Sequence, residues 1–307
     1  MSAAWLRDDD VPVLALSPHL DDLVFSAAAV VQHRPVEVWT VFAGLPDPAV
    51  TTAWDQACGF PDSTATLAAR RAEDEAAFAG SRATIRHLPL LDGPYTNPAR
   101  RRRDLAGLAE ELRVWLTDHP DGVVLAPACA GARVASAVWE RWRPRRPAST
   151  PAGDPLDPPQ QDSAPLPRDI RTWGLRLVRA AMHADHQRRR AAARRRGLAV
   201  NTDHVAVRDL VLEVATDPRC PCTVVLYEDL PYLWAEPADA EVASVAQRLG
   251  LQPDLTELAV DVDDKFARIA AYRSQLDVMD PVERRLSTPG RLPGHERYWT
   301  LTRKDVA

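Results

Sequence analysis

The chain has 307 residues, of which 46% are hydrophobic and 26% are charged, as is usual for a globular protein. Its formal net charge of −5 gives no overall attraction to nucleic acid or to an anionic membrane. The acidic N-terminus lacks the apolar core of a secretory signal, and no apolar run reaches the roughly 20 residues of a membrane helix. We therefore expect a cytoplasmic protein that contacts neither nucleic acid nor membrane.

Short apolar runs alternate with stretches of helical periodicity along most of the chain. The runs predicted as strands lie at residues 11–17, 36–43, 83–90, 122–127 and 223–228, with 255–262 as a sixth candidate. Apolar residues at helical spacing are found at 22–31, 67–79, 102–117, 203–215, 238–249 and 264–276. This alternation predicts an α/β protein with a three-layer, Rossmann-like fold and a mostly parallel sheet.

Residues 144–167 interrupt the alternation, because eight prolines lie there among polar residues. An arginine-rich stretch with helical character follows, up to residue 196. Too little apolar material is present for a second core. We therefore predict one domain over residues 1–307 that carries a flexible Pro-rich and Arg-rich insertion at 144–200. The arginines form either a solvated helix face or a site for an acidic partner.

The segment Ser17–Asp22, SPHLDD, follows the first predicted strand, where ligands of open α/β sheets bind. His19 and Asp22 are three residues apart and fall on one side of a turn, and an imidazole with a carboxylate suits zinc. Asp21 projects differently and is free to contact a metal-bound water. In the alternative interpretation, the two aspartates only cap a helix and His19 fills a gap.

A catalytic zinc site needs a third protein ligand and keeps one position open for water. One candidate is His204, at the start of an amphipathic helix that precedes a strand. The other is the pair His183 and His186, inside the arginine-rich stretch. A helix packed on the sheet preorganises a ligand better than an exposed segment after a flexible linker. We therefore favour His204 and interpret the pair as surface histidines.

The motif SPHLDD resembles the P-H-x-D-D signature of the PIG-L (LmbE-like) zinc-dependent deacetylases, which hydrolyse N-acetyl groups, mostly on amino sugars. RRAEDEAAFAG, LPLLDGPY, DHVAVRD and YEDLPY are similar to segments of bacterial members, in the same order. The resemblance covers residues 11–130 and 200–300. It implies an amide hydrolase whose metal, Zn²⁺ or another divalent ion, is held by His19, Asp22 and His204.

The resemblance also implies roles for further residues. Asp21 corresponds to the general base, and Asn201 stands where the family has a histidine that helps to stabilise the oxyanion. Asparagine still donates a hydrogen bond but carries no charge, and loss of one oxyanion donor costs about 10²–10³ in turnover. Arg70 and Asp92 lie where family members contact sugar hydroxyls, although each is equally compatible with a surface ion pair.

The sequence is compatible with more than one role for two further groups of residues. Tyr95, Trp54 and Trp234 either stack on a sugar ring or belong to the core and rim. Glu228 and Asp229 follow a predicted strand. They either orient a metal-bound histidine, bind substrate, or only cap a loop.

The leading hypothesis is a zinc-dependent hydrolase that removes an N-acyl group, in the first place N-acetyl, from an amino sugar or sugar-bearing small molecule. A metal-bound water activated by Asp21 attacks the acyl carbon. The alternative is a metal-retaining protein of weak or no hydrolase activity that binds a glycan or a partner, suggested by Asn201 and the insertion. A phosphatase is disfavoured, because one His-Asp-His set lacks the extra carboxylates of a two-metal centre.

The choice of the third ligand is directly testable. Purified protein should hold about one zinc-like ion per chain. His204→Ala should lose that ion, whereas His183→Ala and His186→Ala should retain it, because the latter two lie on the predicted surface. Elemental analysis after dialysis gives the metal content of each variant. Metal retained by His204→Ala, or lost by either control, would contradict the assignment.

Overall fold

A computed structural model describes residues 4–132, 199–217, 222–280 and 283–303 of the chain. The proline-rich stretch and both histidines of the arginine-rich stretch, His183 and His186, lie outside the described residues. The flexible insertion at 144–200, and the assignment of the whole chain to one domain, therefore stay predictions.

One sheet organises the described part of the chain. Its order is β3-β2-β1-β4-β5-β7-β6, and the five strands β1 to β5 pair with one another in parallel. Strand β7 runs antiparallel to β5, and β6 runs antiparallel to β7. The predicted α/β class with a mostly parallel sheet is confirmed. The strands are β1 Val13–Ser17, β2 Val36–Thr40, β3 Ala83–His87, β4 Val123–Pro127, β5 Thr223–Tyr227, β6 Leu251–Ala259 and β7 His295–Arg303.

Helices precede or follow most strands. They are α1 Asp22–Ser26, α2 Ala28–His33, α3 Ala53–Ala57, α4 Ser63–Phe78, α5 Pro98–Asp118, α6 Thr202–Ala215, α7 Asp239–Leu249, α8 Val262–Ile269 and α9 Arg273–Met279. Among these described helices, none has the length and apolar character needed to cross a membrane.

Alternate residues of the central strands point to opposite faces of the sheet. Leu14 and Leu16 of β1 pack with α5, α6 and α7, whereas Val13 and Ala15 pack with α1, α2, α4 and α8. Every side chain of β1 and β4 is buried. The arrangement is therefore three-layered, and the continuous apolar runs in the sequence are strands covered on both faces.

The antiparallel edge of the sheet differs from the prediction. The candidate strand at 255–262 is β6 at Leu251–Ala259. Its side chains are partly buried or exposed, and their alternation is broken at Asp254 and Leu255, which are both exposed. Strand β7 was not predicted, because its sequence, HERYWTLTR, mixes charged, hydroxyl and aromatic residues. Such a composition carries neither an unbroken apolar run nor clean alternation.

A buried carboxylate on β7 explains why the predicted helix at 22–31 is divided into α1 and α2. Glu296 accepts hydrogen bonds from the backbone amides of Ala28 and Ala29, at 3.0 and 2.9 Å. It therefore caps α2, whose own N-cap residue offers no side-chain hydrogen bond. Lys265 on α8 donates to the same carboxylate at 2.6 Å, and both side chains are buried. The charge of Lys265 is thus balanced inside the protein.

This ion pair predicts a large loss of stability on Glu296→Gln. The substitution leaves the buried ammonium of Lys265 without an anion, which should lower the free energy of unfolding by about 3–5 kcal/mol. Glu257→Gln is the matched control, because Glu257 is exposed and lies 3.6 Å from Arg297; its effect should stay within about 1 kcal/mol. Urea denaturation measures both, and equal losses would contradict the role of Glu296.

Candidate active site

A pocket of about 580 Å³ opens at the carboxyl edge of the parallel strands. Such edges are where open α/β sheets bind ligands. Six of the seven residues predicted for the site line this pocket, and His204 lies buried just behind its wall. The six are His19, Asp21, Asp22, Arg70, Asp92 and Asn201.

The carboxylate of Asp22 lies between two imidazoles. Its Oδ2 atom is 3.0 Å from His19 Nδ1 and 3.1 Å from His204 Nε2. The backbone amide of His19 also donates to this oxygen, at 2.7 Å. All three residues are buried, and one ligand atom of each lies within 4.8 Å of the others. The structure therefore brings the predicted metal-ligand set together.

The imidazole of His204 shows that this set fits a cation. Its Nε2 atom is buried and has no aligned hydrogen-bond partner within the described residues, although the Asp22 carboxylate is near. A buried nitrogen without a partner is costly. Two imidazole nitrogens and a carboxylate oxygen are donors that zinc binds in proteins, so the donor set fits a divalent zinc-like ion.

A second carboxylate fixes the orientation of His204. Asp229 follows β5, and its Oδ1 atom lies 2.6 Å from His204 Nδ1, while its Oδ2 accepts from the Ala130 amide at 3.0 Å. Burial lowers the pKa of His204, but the charges of Asp22 and Asp229 outweigh burial and raise it to about 9. Because an ionised carboxylate only accepts hydrogen bonds, Nδ1–H donates to Asp229, which directs Nε2 towards Asp22.

Glu228, next to Asp229 in the sequence, faces a different part of the protein. It accepts a hydrogen bond from the Ala238 amide at 2.9 Å and lies 3.3 Å from Arg297. The sequence left the roles of these two acids open. In the structure, only the second of the pair contacts a site histidine.

Asp21 projects differently from its neighbour Asp22, as the motif predicts. It is buried, lines the pocket, and lies 3.4 Å from Arg70. Burial raises the pKa of Asp21 to about 6, although the charge of Arg70 opposes the change. A carboxyl group with a pKa near neutrality is suited to both accept and return a proton. Arg70 is itself buried, which rules out a surface ion pair.

Two further carboxylates lie on the other side of the His19 ring. His19 Nε2 is 3.5 Å from Asp92 Oδ1 and 3.3 Å from Asp203 Oδ2. This forms a second group of potential ligand atoms. However, both carboxylates are partly exposed, and Asp203 already pairs with Arg101 at 2.5 Å, while Asp92 accepts from the Gly93 amide. The buried group around Asp22 is therefore the stronger metal site.

Asp203 and Arg101 were not predicted to belong to the site. Asp203 has a weak sequence signal, since it directly precedes His204 at the start of a helix. Arg101 has none, because it lies among consecutive arginines on α5, and only the tertiary structure places one of them against Asp203.

Asn201 is both a helix cap and a hydrogen-bond donor to a tyrosine. Its Oδ1 atom accepts from the Asp203 amide at 2.9 Å, which caps α6. Its Nδ2 donates to the Tyr232 hydroxyl oxygen at 3.3 Å. Tyr232 also lines the pocket, and burial raises the pKa of its phenol, which therefore keeps its proton.

The three aromatic candidates for sugar stacking occupy different places. Trp54 lines the pocket. The Tyr95 hydroxyl donates to Asp55, and the Trp234 ring lies under the guanidinium of Arg285 at 4.1 Å. Of the three, Trp54 is positioned to contact a ligand.

Comparisons with known proteins identify the fold. No family model and no curated protein matches the sequence. Several solved structures match nearly the whole chain, among them the zinc-inhibited form of teicoplanin deacetylase Orf2, with a TM-score of 0.61 and 20% identity over 97% of this chain and 100% of that one. The A40926 pseudoaglycone deacetylase Dbv21 matches with a TM-score of 0.58 and 22% identity over 98% of this chain and 100% of that one.

The chain has the fold of these deacetylases. A further match is a deacetylase–teicoplanin complex, with a TM-score of 0.57 and 20% identity over 96% of this chain and 100% of that one. The Rossmann-like fold predicted from the sequence is confirmed, and the resemblance noted in the motifs is confirmed at the level of the fold.

Because Asp229 contacts His204 and Glu228 does not, only the loss of the Asp229 carboxylate should affect zinc binding. Asp229→Asn should weaken zinc binding about 10–100-fold, because an amide orients the His204 ring less well than a carboxylate. Glu228→Gln is the matched control and should leave zinc affinity unchanged. Competition with a chromogenic chelator measures both affinities. Equal weakening in the two variants would contradict the specific role of Asp229.

Proposed function

We propose that the chain is a zinc-dependent hydrolase that removes an N-acyl group, in the first place N-acetyl, from an amino sugar or a sugar-bearing small molecule. The observation that carries the proposal is the buried carboxylate of Asp22 between His19 and His204, at the base of a pocket. The fold shared with deacetylases, one of them in complex with teicoplanin, supports it.

His19, Asp22 and His204 would hold the metal ion. When bound, zinc is a Lewis acid that makes a water molecule more acidic and polarises a carbonyl group. The protein keeps the two rings in place through carboxylates on their far sides, Asp203 for His19 and Asp229 for His204. Ligands held in this way need little rearrangement before the reaction.

Asp21 is the proton carrier of the proposed reaction. It accepts a proton from the water whose oxygen bonds to the acyl carbon. The carbon–nitrogen bond then breaks, its electron pair goes to the nitrogen, and the nitrogen takes the proton from Asp21. The products are a carboxylic acid and a free amine, and at neutral pH the acid releases its proton and becomes a carboxylate. Arg70, 3.4 Å away, stabilises the ionised form of Asp21 against the effect of burial.

The outer part of the pocket would receive the sugar. Asp92 is partly exposed there and offers a carboxylate oxygen to hydroxyl groups, and Trp54 offers an aromatic face. Arg70 lines the same pocket and is proposed to contact a hydroxyl as well as Asp21. The pocket volume of about 580 Å³ falls within the usual range for small-molecule sites.

A substrate panel tests the function directly. Zinc-loaded protein is incubated with N-acetyl and long-chain N-acyl amino sugars, and the free amine is detected by mass spectrometry. Amine release supports the hydrolase. Normal zinc binding without release from any member of the panel would favour the alternative, a glycan- or partner-binding protein.

Substitutions of Asp21 and Asp22 distinguish a role in proton transfer from a role in metal binding. Asp21→Asn should lower turnover by about 10²–10⁴, because an amide does not accept a proton at neutral pH, while zinc content stays unchanged. Asp22→Asn should instead lower zinc content, since a charged ligand is lost. Turnover and metal stoichiometry are measured on both variants. Near-native turnover of Asp21→Asn would show that Asp21 serves only the fold.

A further inference from the structure

The phenol of Tyr232 lies in the pocket wall beside the metal-ligand set. Tyr232 begins a short 3-10 helix after β5. Its ring and that of His204 pack in a T-shaped contact, with 5.1 Å between ring centres. Tyr232 lines the same pocket as Asp21 and Asp22. A ligand bound near those aspartates therefore also lies near the Tyr232 hydroxyl.

The hydrogen bond with Asn201 determines whether the Tyr232 hydroxyl acts as donor or acceptor. Asn201 Oδ1 is fixed by its bond to the Asp203 amide, so the atom that faces Tyr232 is the amide nitrogen, 3.3 Å away. An amide nitrogen only donates, and the phenol oxygen must accept. Within the described residues, the Tyr232 hydroxyl hydrogen has no acceptor of its own. It is available to a ligand in the pocket.

We propose that Tyr232 is a catalytic residue that donates a hydrogen bond to the acyl oxygen of the substrate, and that Asn201 positions it. This rests on the proposed hydrolase function. The hydrogen stays on Tyr232 while negative charge builds up on the acyl oxygen, so no proton is transferred. A donor fixed before the reaction stabilises such charge at no cost of reorganisation.

The proposal gives Asn201 a role that differs from direct contact with the oxyanion. The motif resemblance places a histidine donor at this position, whereas the asparagine amide is directed at a phenol. The donor to the substrate is then one hydrogen bond further along, at Tyr232. A neutral asparagine is sufficient for this role, because it only has to hold the phenol oxygen.

Tyr232→Phe removes the hydroxyl and keeps the ring that packs on His204. In wild-type protein that releases amine, kcat should fall about 10²–10³-fold in this variant, with little change in KM, zinc content or thermal midpoint. Tyr95→Phe is the matched control, since the Tyr95 hydroxyl donates to Asp55; its kcat should equal that of wild type. Near-native kcat of Tyr232→Phe would overturn the inference and leave the proposed function standing.

Two substitutions of Asn201 distinguish positioning from direct contact. Asn201→Ser and Asn201→Asp both keep a residue that caps helices well, but each removes the amide donor. The aspartate also accepts the phenol hydrogen and turns it away from the substrate. Asn201→Asp should therefore lower kcat as much as Tyr232→Phe does, and Asn201→Ser should lower it less. The double variant Asn201→Asp/Tyr232→Phe should lose no more kcat than Tyr232→Phe alone. Independent, additive losses would show that Asn201 acts without Tyr232.

A binding measurement tests the donor without turnover. Methylphosphonate resembles the tetrahedral, negatively charged state of an acetyl group, and its binding to zinc-loaded protein is measured by calorimetry. Tyr232→Phe should weaken it about 10–100-fold, as expected for a hydrogen bond to a charged group, and leave glucosamine binding unchanged. Unchanged methylphosphonate binding would overturn the inference even if the wild type releases no amine, an outcome that would count separately against the proposed function.

Discussion

A single carboxylate oxygen of Asp22 lies within 3.1 Å of a ring nitrogen of two histidines and accepts the backbone amide of one of them. A buried carboxylate is tolerated only when it is paired and hydrogen-bonded. Burial raises the pKa of Asp22, but the positive charge of His204 and the hydrogen bond with His19 outweigh burial, lower the pKa and keep the carboxylate ionised. The arrangement concentrates donors for a cation at one point of the pocket.

The order of the sheet makes this cluster possible. Strands β1, β4 and β5 are neighbours, so the segments that follow them meet at one edge. The segment after β1 supplies His19 and Asp22, and the segment after β5 supplies Asp229. The Ala130 amide, after β4, holds that aspartate. The start of α6 then adds His204, whose ring is fixed between the carboxylates of Asp22 and Asp229.

The parts of the protein that were predictable from sequence depend on local patterns. Strands β1, β2, β4 and β5 are largely buried, mainly apolar runs. The SPHLDD motif places its charged residues directly after the first of them. The break between α1 and α2 was not predictable, because Glu296 on a distant strand accepts the amides that begin α2. Strand β7 escaped prediction since its mixed composition has no clear period.

In the site, too, some residues follow from a local sequence pattern and others depend on tertiary contacts. His19, Asp21 and Asp22 follow from one motif, whereas the contacts of Arg101 with Asp203 and of Asn201 with Tyr232 join separate elements. A sequence shows that such residues exist but not which of them meet. The choice between Glu228 and Asp229 was equally open in the sequence, because adjacent residues after a strand point in different directions.

Anomalous diffraction at the zinc edge, from crystals of the zinc-loaded protein, tests the central claim most directly. The account predicts one strong peak within about 2.0–2.3 Å of ligand atoms from His19, Asp22 and His204. A peak on the opposite side of the His19 ring, between Asp92 and Asp203, would contradict it. So would the absence of any peak beside Asp22.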